Sequence, residues 1–277
     1  MMADFKKTML RGRNVIAWLL VIMMVVIYLR PVGLPLVVSP SVRCWYTAAS
    51  AMSNQSKPVL MVVDYTVGTI PEAQPAITVV TKHLMERGVA MVFVGSGVAD
   101  ETSLMQTVFN SVGIQKTYKY GVNYVGIGYI PGGEVAIATL GLEFQHVAAT
   151  DAYGNPTANL PLTKDIKSHS DFSAVFDFDT VGNYPLWIRN WAVPHKIPLY
   201  SFVDASDMPM ITSYYSVGQV QGYMGGIPGA AQYEVLSGLP GDALKSTDVL
   251  SITHVTAMIL VVAGNILYFT RRRDQKE

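Results

Sequence analysis

The sequence predicts an α/β fold: a doubly wound, mostly parallel, Rossmann-like sheet set between two transmembrane helices. Three observations lead there. Apolar runs stand near both ends, over residues 15–29 and 249–270. Between them, short apolar stretches alternate with stretches of helical spacing. Several of the short stretches finish on an acid or a glycine, as buried parallel strands do where they turn at a sheet edge.

Residues 1–14 read as a cytoplasmic N-terminus and 15–30 as the first transmembrane helix. The apolar run covers about 22 Å at 1.5 Å per residue, short of the roughly 30 Å hydrocarbon core. Asn14, Arg13 and Arg30 extend it, the arginines by snorkelling. Trp18 and Tyr28 fall near its two ends, where aromatic side chains favour the interface. Pro31 and Pro35 end the helix, and 31–57 becomes a juxtamembrane segment with an extended apolar start. Ala49-Ser50-Ala51 has the form of a leader cleavage site, but it lies too far beyond the apolar run, so the helix is read as retained.

Residues 58–207 read as the α/β domain. Strands are expected at 58–65, 89–94, 124–130, 172–178 and 198–203. Helices are expected at 71–87, with Ala73, Ile77, Val80 and Leu84 on one face, and from Asp100 to a stop at Gly113. Two more are expected at 134–140 and 184–191. This βαβα order argues a parallel sheet with helices on both faces. Residues 143–171 are irregular, with a turn signal at 151–156. They form either a functional loop or a cover for a sheet edge.

Residues 208–248 form a Gly-, Tyr- and Met-rich packing segment. The second transmembrane helix, 249–270, spans about 33 Å, and 271–277 is a cytoplasmic tail. Lys6, Lys7, Arg11 and Arg13 precede the first helix, and Arg271, Arg272 and Arg273 follow the second. Positive flanks belong in the cytoplasm, so the domain is expected outside it, in the cell membrane's extracytoplasmic space. His254 reads as an interfacial histidine. Asn265 reads as a partner for the first helix or a neighbouring subunit.

Composition excludes some functions. Twenty basic and twenty acidic residues leave no net charge, and no basic stripe crosses the chain, so nucleic acid is excluded as a partner. The single cysteine, Cys44, rules out an internal disulfide and any multi-cysteine metal centre. It is expected as a partly buried small hydrophobe, and Arg43 before it argues against lipidation.

The best ligand-binding candidates are acids at the carboxyl ends of strands, where open α/β folds bind ligands. They are Asp64, Asp177, Asp179 and Asp204, with Glu72 and Asp100 able to join them. Together they suit a magnesium or calcium ion. Their structural alternative is to cap helices and bind loop amides. Gly95-Ser96-Gly97 follows a strand and could cradle an anion. It lacks the dinucleotide fingerprint and a phosphate-binding lysine, so an ordinary tight turn is preferred. There is no His-Glu-x-x-His and no Gly-x-Ser-x-Gly, so no catalytic residue, metal or cofactor is assigned. A Ser–His–Asp triad assembled by folding stays open.

Tyr214, Tyr215, Tyr223, Met224, Gly225, Gly226 and Gly229 are the interface candidates, since aromatic and Met residues are enriched at interfaces. Packing within the domain is their alternative. The segment Gly218-Gln219-Val220-Gln221-Gly222-Tyr223-Met224-Gly225-Gly226-Ile227-Pro228-Gly229-Ala230-Ala231-Gln232-Tyr233-Glu234, with Tyr120-Gly121-Val122-Asn123-Tyr124 upstream, resembles uncharacterised two-pass membrane proteins that carry an extracytoplasmic α/β domain. The resemblance spans most of the domain. It implies a shared architecture and carries no activity with it.

The functional expectation is a non-enzymatic structural or assembly component, packing with copies of itself or with other membrane proteins in the lipid bilayer. The alternative is a metal- or small-ligand-binding module, or a hydrolase, using the acidic carboxyl edge of the sheet.

Overall fold

The computed structural model describes residues 12–274, which divide into two compact units, residues 12–35 with 244–274 and residues 36–243. In chain order the elements are α1 (Gly12–Leu29), α2 (Pro40–Ala51), β1 (Val59–Asp64), α3 (Ile70–Glu86), β2 (Met91–Gly95), α4 (Glu101–Val112) and β3 (Tyr124–Tyr129). Then come α5 (Gly133–Leu142), α6 (Phe144–Val147), β4 (Ala174–Asp179), α7 (Tyr184–Trp187), α8 (Val193–His195) and β5 (Leu199–Val203). The last are α9 (Met208–Ser216), β6 (Gly222–Gly225), α10 (Gly226–Ser237) and α11 (Asp242–Asp274).

The 36–243 unit is built on a six-stranded sheet in the order β3-β2-β1-β4-β5-β6, and every pairing is parallel. The order reverses between β1 and β4, so the switch point lies at their carboxyl ends. One face carries an aliphatic core from Leu60, Val62, Val92, Val94, Val125, Val175 and Leu199. Ile137 and Leu140 of α5, Tyr184 and Trp187 of α7, and Ile211 of α9 cover it. On the other face, Trp45 of α2 is fully buried against Phe176, Phe178, Tyr200 and Tyr233. Phe109 of α4 packs edge-on to Phe93.

Local signals set the ends of several elements. Ser39 caps α2, its hydroxyl accepting from the Val42 amide at 3.4 Å, with Pro40 opening the helix. Gly113 ends α4 at φ +62°, the left-handed C-cap that glycine adopts without a Cβ clash. A π turn over Ile188–Ala192 joins α7 to α8 and turns Trp191 inward, where its Nε1 donates to the Ile137 carbonyl at 2.8 Å.

Three features differ from the sequence reading. The juxtamembrane segment 31–57 contains α2, whose Trp45 makes it part of the core. The packing segment 208–248 contributes β6, which its glycines concealed: strand glycines carry no apolar side chain to produce a periodic signal. Gly222 is required there, because a Cβ would strike the Ser41 carbonyl and the Trp45 amide of α2. Cys44, expected partly buried, is exposed. The irregular stretch 143–171 covers the β3 edge, with the Ala152 amide donating to the Gly126 carbonyl at 2.8 Å and Leu162 to Gly121 at 2.9 Å.

In the other unit, residues 242–266 form a helix long and apolar enough to cross a membrane, and residues 14–29 form a shorter apolar helix. Thr256 Oγ1 approaches Met23 Sδ at 3.5 Å. Asn265 donates to the Val261 carbonyl of its own helix at 3.0 Å, rather than reaching across to α1. Lys6, Lys7 and Arg11 lie outside the described residues.

Candidate functional site

Side chains alternate along a strand, so Asp64, Asp177 and Asp179 share the sheet face of Leu60, Val62 and Val175. Strand pairing sets Asp64 opposite Asp179. All three are buried, and a fourth acid joins them: Glu101, in the first turn of α4, is fully buried.

Two loops hold three of the carboxyl groups: the loop after β2 holds Asp64 and Glu101, and the loop after β4 holds Asp179. Asp64 Oδ1 accepts from the Ser96 amide at 2.6 Å, and its Oδ2 accepts from the Ser96 hydroxyl. Asn183 Nδ2 and Trp187 Nε1 approach the same Oδ2, each at 3.4 Å. Asp179 Oδ1 accepts from the amides of Val181 (2.6 Å) and Gly182 (2.7 Å), and its Oδ2 from that of Tyr184. Glu101 accepts from the amides of Gly97 (3.0 Å) and Val98 (2.8 Å).

The loop after β2 is therefore an anion cradle, filled by the chain's own carboxyl group. Gly95 and Gly97 make room for it, because a Cβ at either position would overlap Glu101. A Cβ on Gly97 would also meet Val181 and the Asn183 amide group. The loops after β2 and β4 thus touch above the end of β1 and roof the switch point.

Asp177 differs from the others. Ser201 donates to its Oδ2 at 2.8 Å, and its Oδ1 is buried with no partner. The Tyr184 hydroxyl is likewise buried and unpartnered.

Among the described residues, no Lys or Arg pairs with these four acids. Burial, and then the charge of Asp64, push Glu101 up to about 9 and Asp179 up to about 7. Burial raises Asp64, and raises Asp177 well above the usual carboxylate range, with Asp179 next in effect on Asp177. At neutral pH Glu101 holds its proton, and the cluster shares protons instead of carrying four charges. Chemically this is a set of neutral and half-titrated acids suited to giving up protons. The side chains are buried beneath the loops after β2 and β4 together. Among the described residues, no group of three or more His, Cys, Asp or Glu is placed to hold a metal ion, so convergence of the acids does not produce the magnesium or calcium geometry the sequence allowed.

The other candidate acids lie elsewhere. Glu72 is half-buried, accepts from the Ala205 amide and lies beside the backbone of Gly226, the first residue of α10. Burial, with the nearby charge of Asp204, raises it. Asp204 accepts from the amides of Ser206 (2.9 Å) and Asp207 (3.1 Å), closing a tight turn. Asp100 is exposed and makes no side-chain cap bond. Glu101 was missed although it directly follows Asp100. The signal for it was the spacing from Gly95 and Gly97, which lets an acid at the start of α4 fold back over the loop.

The interface candidates divide. Met224 is buried, a Cβ on Gly225 would overlap Met208, and one on Gly229 would press on the Met224 backbone. Gly229 lets α10 lie close on β6, and Gly225 makes room for Met208 of α9. Gly226 takes φ +54° beside Glu72. Tyr214, Tyr215 and Tyr223 are half-buried; Tyr215 and Tyr223 pack edge-on at 5.5 Å, and Tyr214 lies beside Tyr184 at 6.2 Å.

Ser50 Oγ lies 3.3 Å from His83 Nε2, and His83 Nδ1 lies 2.8 Å from the Tyr233 hydroxyl. The chain ends in a phenol, not a carboxylate. Ser50 also sits in the last turn of α2, where free carbonyls rather than amides would face an oxyanion. It is a structural relay between helices.

Compared with protein families, with curated proteins and with solved structures, the chain matches none of them.

Proposed function

We propose that the protein is a membrane-anchored structural or assembly component, whose α/β domain stands outside the cytoplasm and packs with copies of itself or with partner membrane proteins. One observation carries the reading. The helix of residues 242–266 contains an 18-residue apolar window with a mean hydropathy of 1.9, none of which is buried within the chain, so those side chains call for lipid or another protein. The shorter apolar helix of residues 14–29 serves as the second anchor; Leu19 and Leu29 are 62% and 72% exposed. The basic flanks set both termini in the cytoplasm. The filled anion cradle favours a non-enzymatic role: the Gly97 and Val98 amides after β2, which could otherwise bind an anionic ligand, already hold Glu101.

The test is the native mass of the full chain after mild detergent extraction, with cross-linking in the membrane beforehand. A homo-oligomer or a defined set of partners is expected. A strictly monomeric protein without partners would sink the proposal.

A second reading, a small-ligand site or hydrolase at the carboxyl edge of the sheet, is favoured by one specific observation. Asp177 Oδ1 and the Tyr184 hydroxyl are buried polar atoms without partners, and such atoms ordinarily have one. Under this reading, Asp64→Ala removes ligand binding while leaving the fold intact. Identical calorimetric titrations of the variant and the parent chain would count against it.

A further inference from the structure

Asp248 lies at the start of the apolar part of α11. It is 3% exposed, and its carboxylate accepts from the backbone amides of Gly33 (2.7 Å) and Leu34 (3.1 Å), just beyond the end of α1. A buried carboxylate is costly unless it is hydrogen-bonded, and two backbone donors satisfy much of that demand. Gly33 takes φ +71°, a conformation that glycine adopts without strain and that is open here to both amides. Nearby, Lys245 Nζ stands 5.9 Å above the Tyr28 ring. An aromatic ring, a lysine and a hydrogen-bonded acid at the head of an apolar helix are the groups that favour the boundary between water and hydrocarbon.

The geometry points to an interfacial clip. Asp248 fixes the depth of the 31–34 segment at the lipid head-group boundary, so that Val32, 60% exposed in the chain, and Leu29, 72% exposed, are covered by the acyl chains of the outer leaflet. The occupant is the bilayer itself. The argument is continuity: the segment leaves one apolar helix and is tied by two hydrogen bonds to the first turns of the other. Moving these apolar side chains out of water is favourable, so the contact helps to set where the chain sits. The inference rests on the membrane-anchor reading.

The test uses the full chain in liposomes of phosphatidylcholine and phosphatidylglycerol. Cys44→Ser removes the single thiol, and Val32→Cys or Ile259→Cys then carries a nitroxide label. Power saturation with oxygen and with a water-soluble nickel chelate reports depth. The Ile259 label tests the anchor, and the Val32 label tests the clip. Expected is oxygen-rich, nickel-poor relaxation at both, deeper at 259. In an added Asp248→Ala variant the Val32 label should become several-fold more accessible to nickel while the 259 label does not change. Asp248→Asn, which keeps an oxygen acceptor, should restore much of the protection. A lipid-exposed 259 label with a water-exposed 32 label overturns the clip alone. Water exposure at both overturns the anchor as well. A Val32 label indifferent to Asp248→Ala shows that Asp248 does not set the depth.

Discussion

Glu101→Gln probes the buried acid cluster most directly. In the folded chain Glu101 keeps its proton up to about pH 9 and Asp179 keeps its own up to about pH 7. In the unfolded chain both lose theirs near the ordinary carboxylate values of about 4. Between those limits the folded state binds more protons than the unfolded state. The stabilisation is therefore complete below the unfolded pKa and is lost as pH rises through the folded one. Each retained proton lowers the unfolding free energy by about 1.4 kcal/mol per pH unit. From pH 5 to 7 both groups contribute, and from pH 7 to 9 Glu101 continues after Asp179 drops out, while Asp177, raised well above the usual range, acts in the same direction. Because the acids interact, these slopes are ceilings for the pair and not properties of single residues.

Glutamine never ionises, so the variant loses the Glu101 share of the slope. It also keeps only one oxygen for the two amides of Gly97 and Val98, which costs about 1–3 kcal/mol. The variant should be less stable than the parent at pH 5 and more stable at pH 9, with the curves crossing between. The assay is urea unfolding of the full chain in detergent, followed by the fluorescence of Trp45, Trp187 and Trp191, all fully buried. An unchanged m-value would confirm that stability alone moved. A parent chain whose stability is level or rising from pH 5 to 9 would refute the reasoning. So would a variant with the parent's slope.

Two further outcomes follow from packing. Trp45→Ala empties a site lined by Phe176, Phe178, Tyr200 and Tyr233. It should cost about 3–5 kcal/mol, read as a lower urea midpoint, and would show that the segment before the sheet belongs to the folded unit. Gly95→Ala drives a Cβ into Glu101 and should cost about 1–3 kcal/mol. The same substitution made on a Glu101→Gly background, which removes the overlapping Glu101 Cβ as well as its carboxyl group, should cost much less, and a double-mutant cycle without coupling would contradict the overlap.

Much of the fold was legible because apolar periodicity is a local property. Residues 58–65 and 89–94 read as strands because β1 and β2 are buried on both faces, and the sheet left them almost no polar residues to interrupt the pattern. Gly113 marked the end of α4 because only the left-handed region continues the chain there. The apolar window of residues 242–266 was visible in composition alone. The helices α9 and α10 were not read from the 208–248 segment, and neither were α2 and β6. In α2 the buried stripe is short, Val42, Trp45 and Ala49, and small and polar residues surround it. In β6, glycine at both ends leaves no alternation to count.

By itself, the sequence determined the parallel α/β class, the apolar helix near its C-terminal end, and the presence of acids where strands end. Each depends on residues adjacent in the chain, whose burial pattern repeats every two or every three to four positions. Tertiary structure alone decided which acids meet. The strand order placed β1 beside β4 and so Asp64 opposite Asp179, and it separated them from Asp204 at the end of β5. The fold-back of α4 over Gly95 and Gly97 selected Glu101 over the neighbouring Asp100. A one-residue step along a helix turns a side chain by about 100°, which here is the difference between solvent and a buried cluster of shared protons.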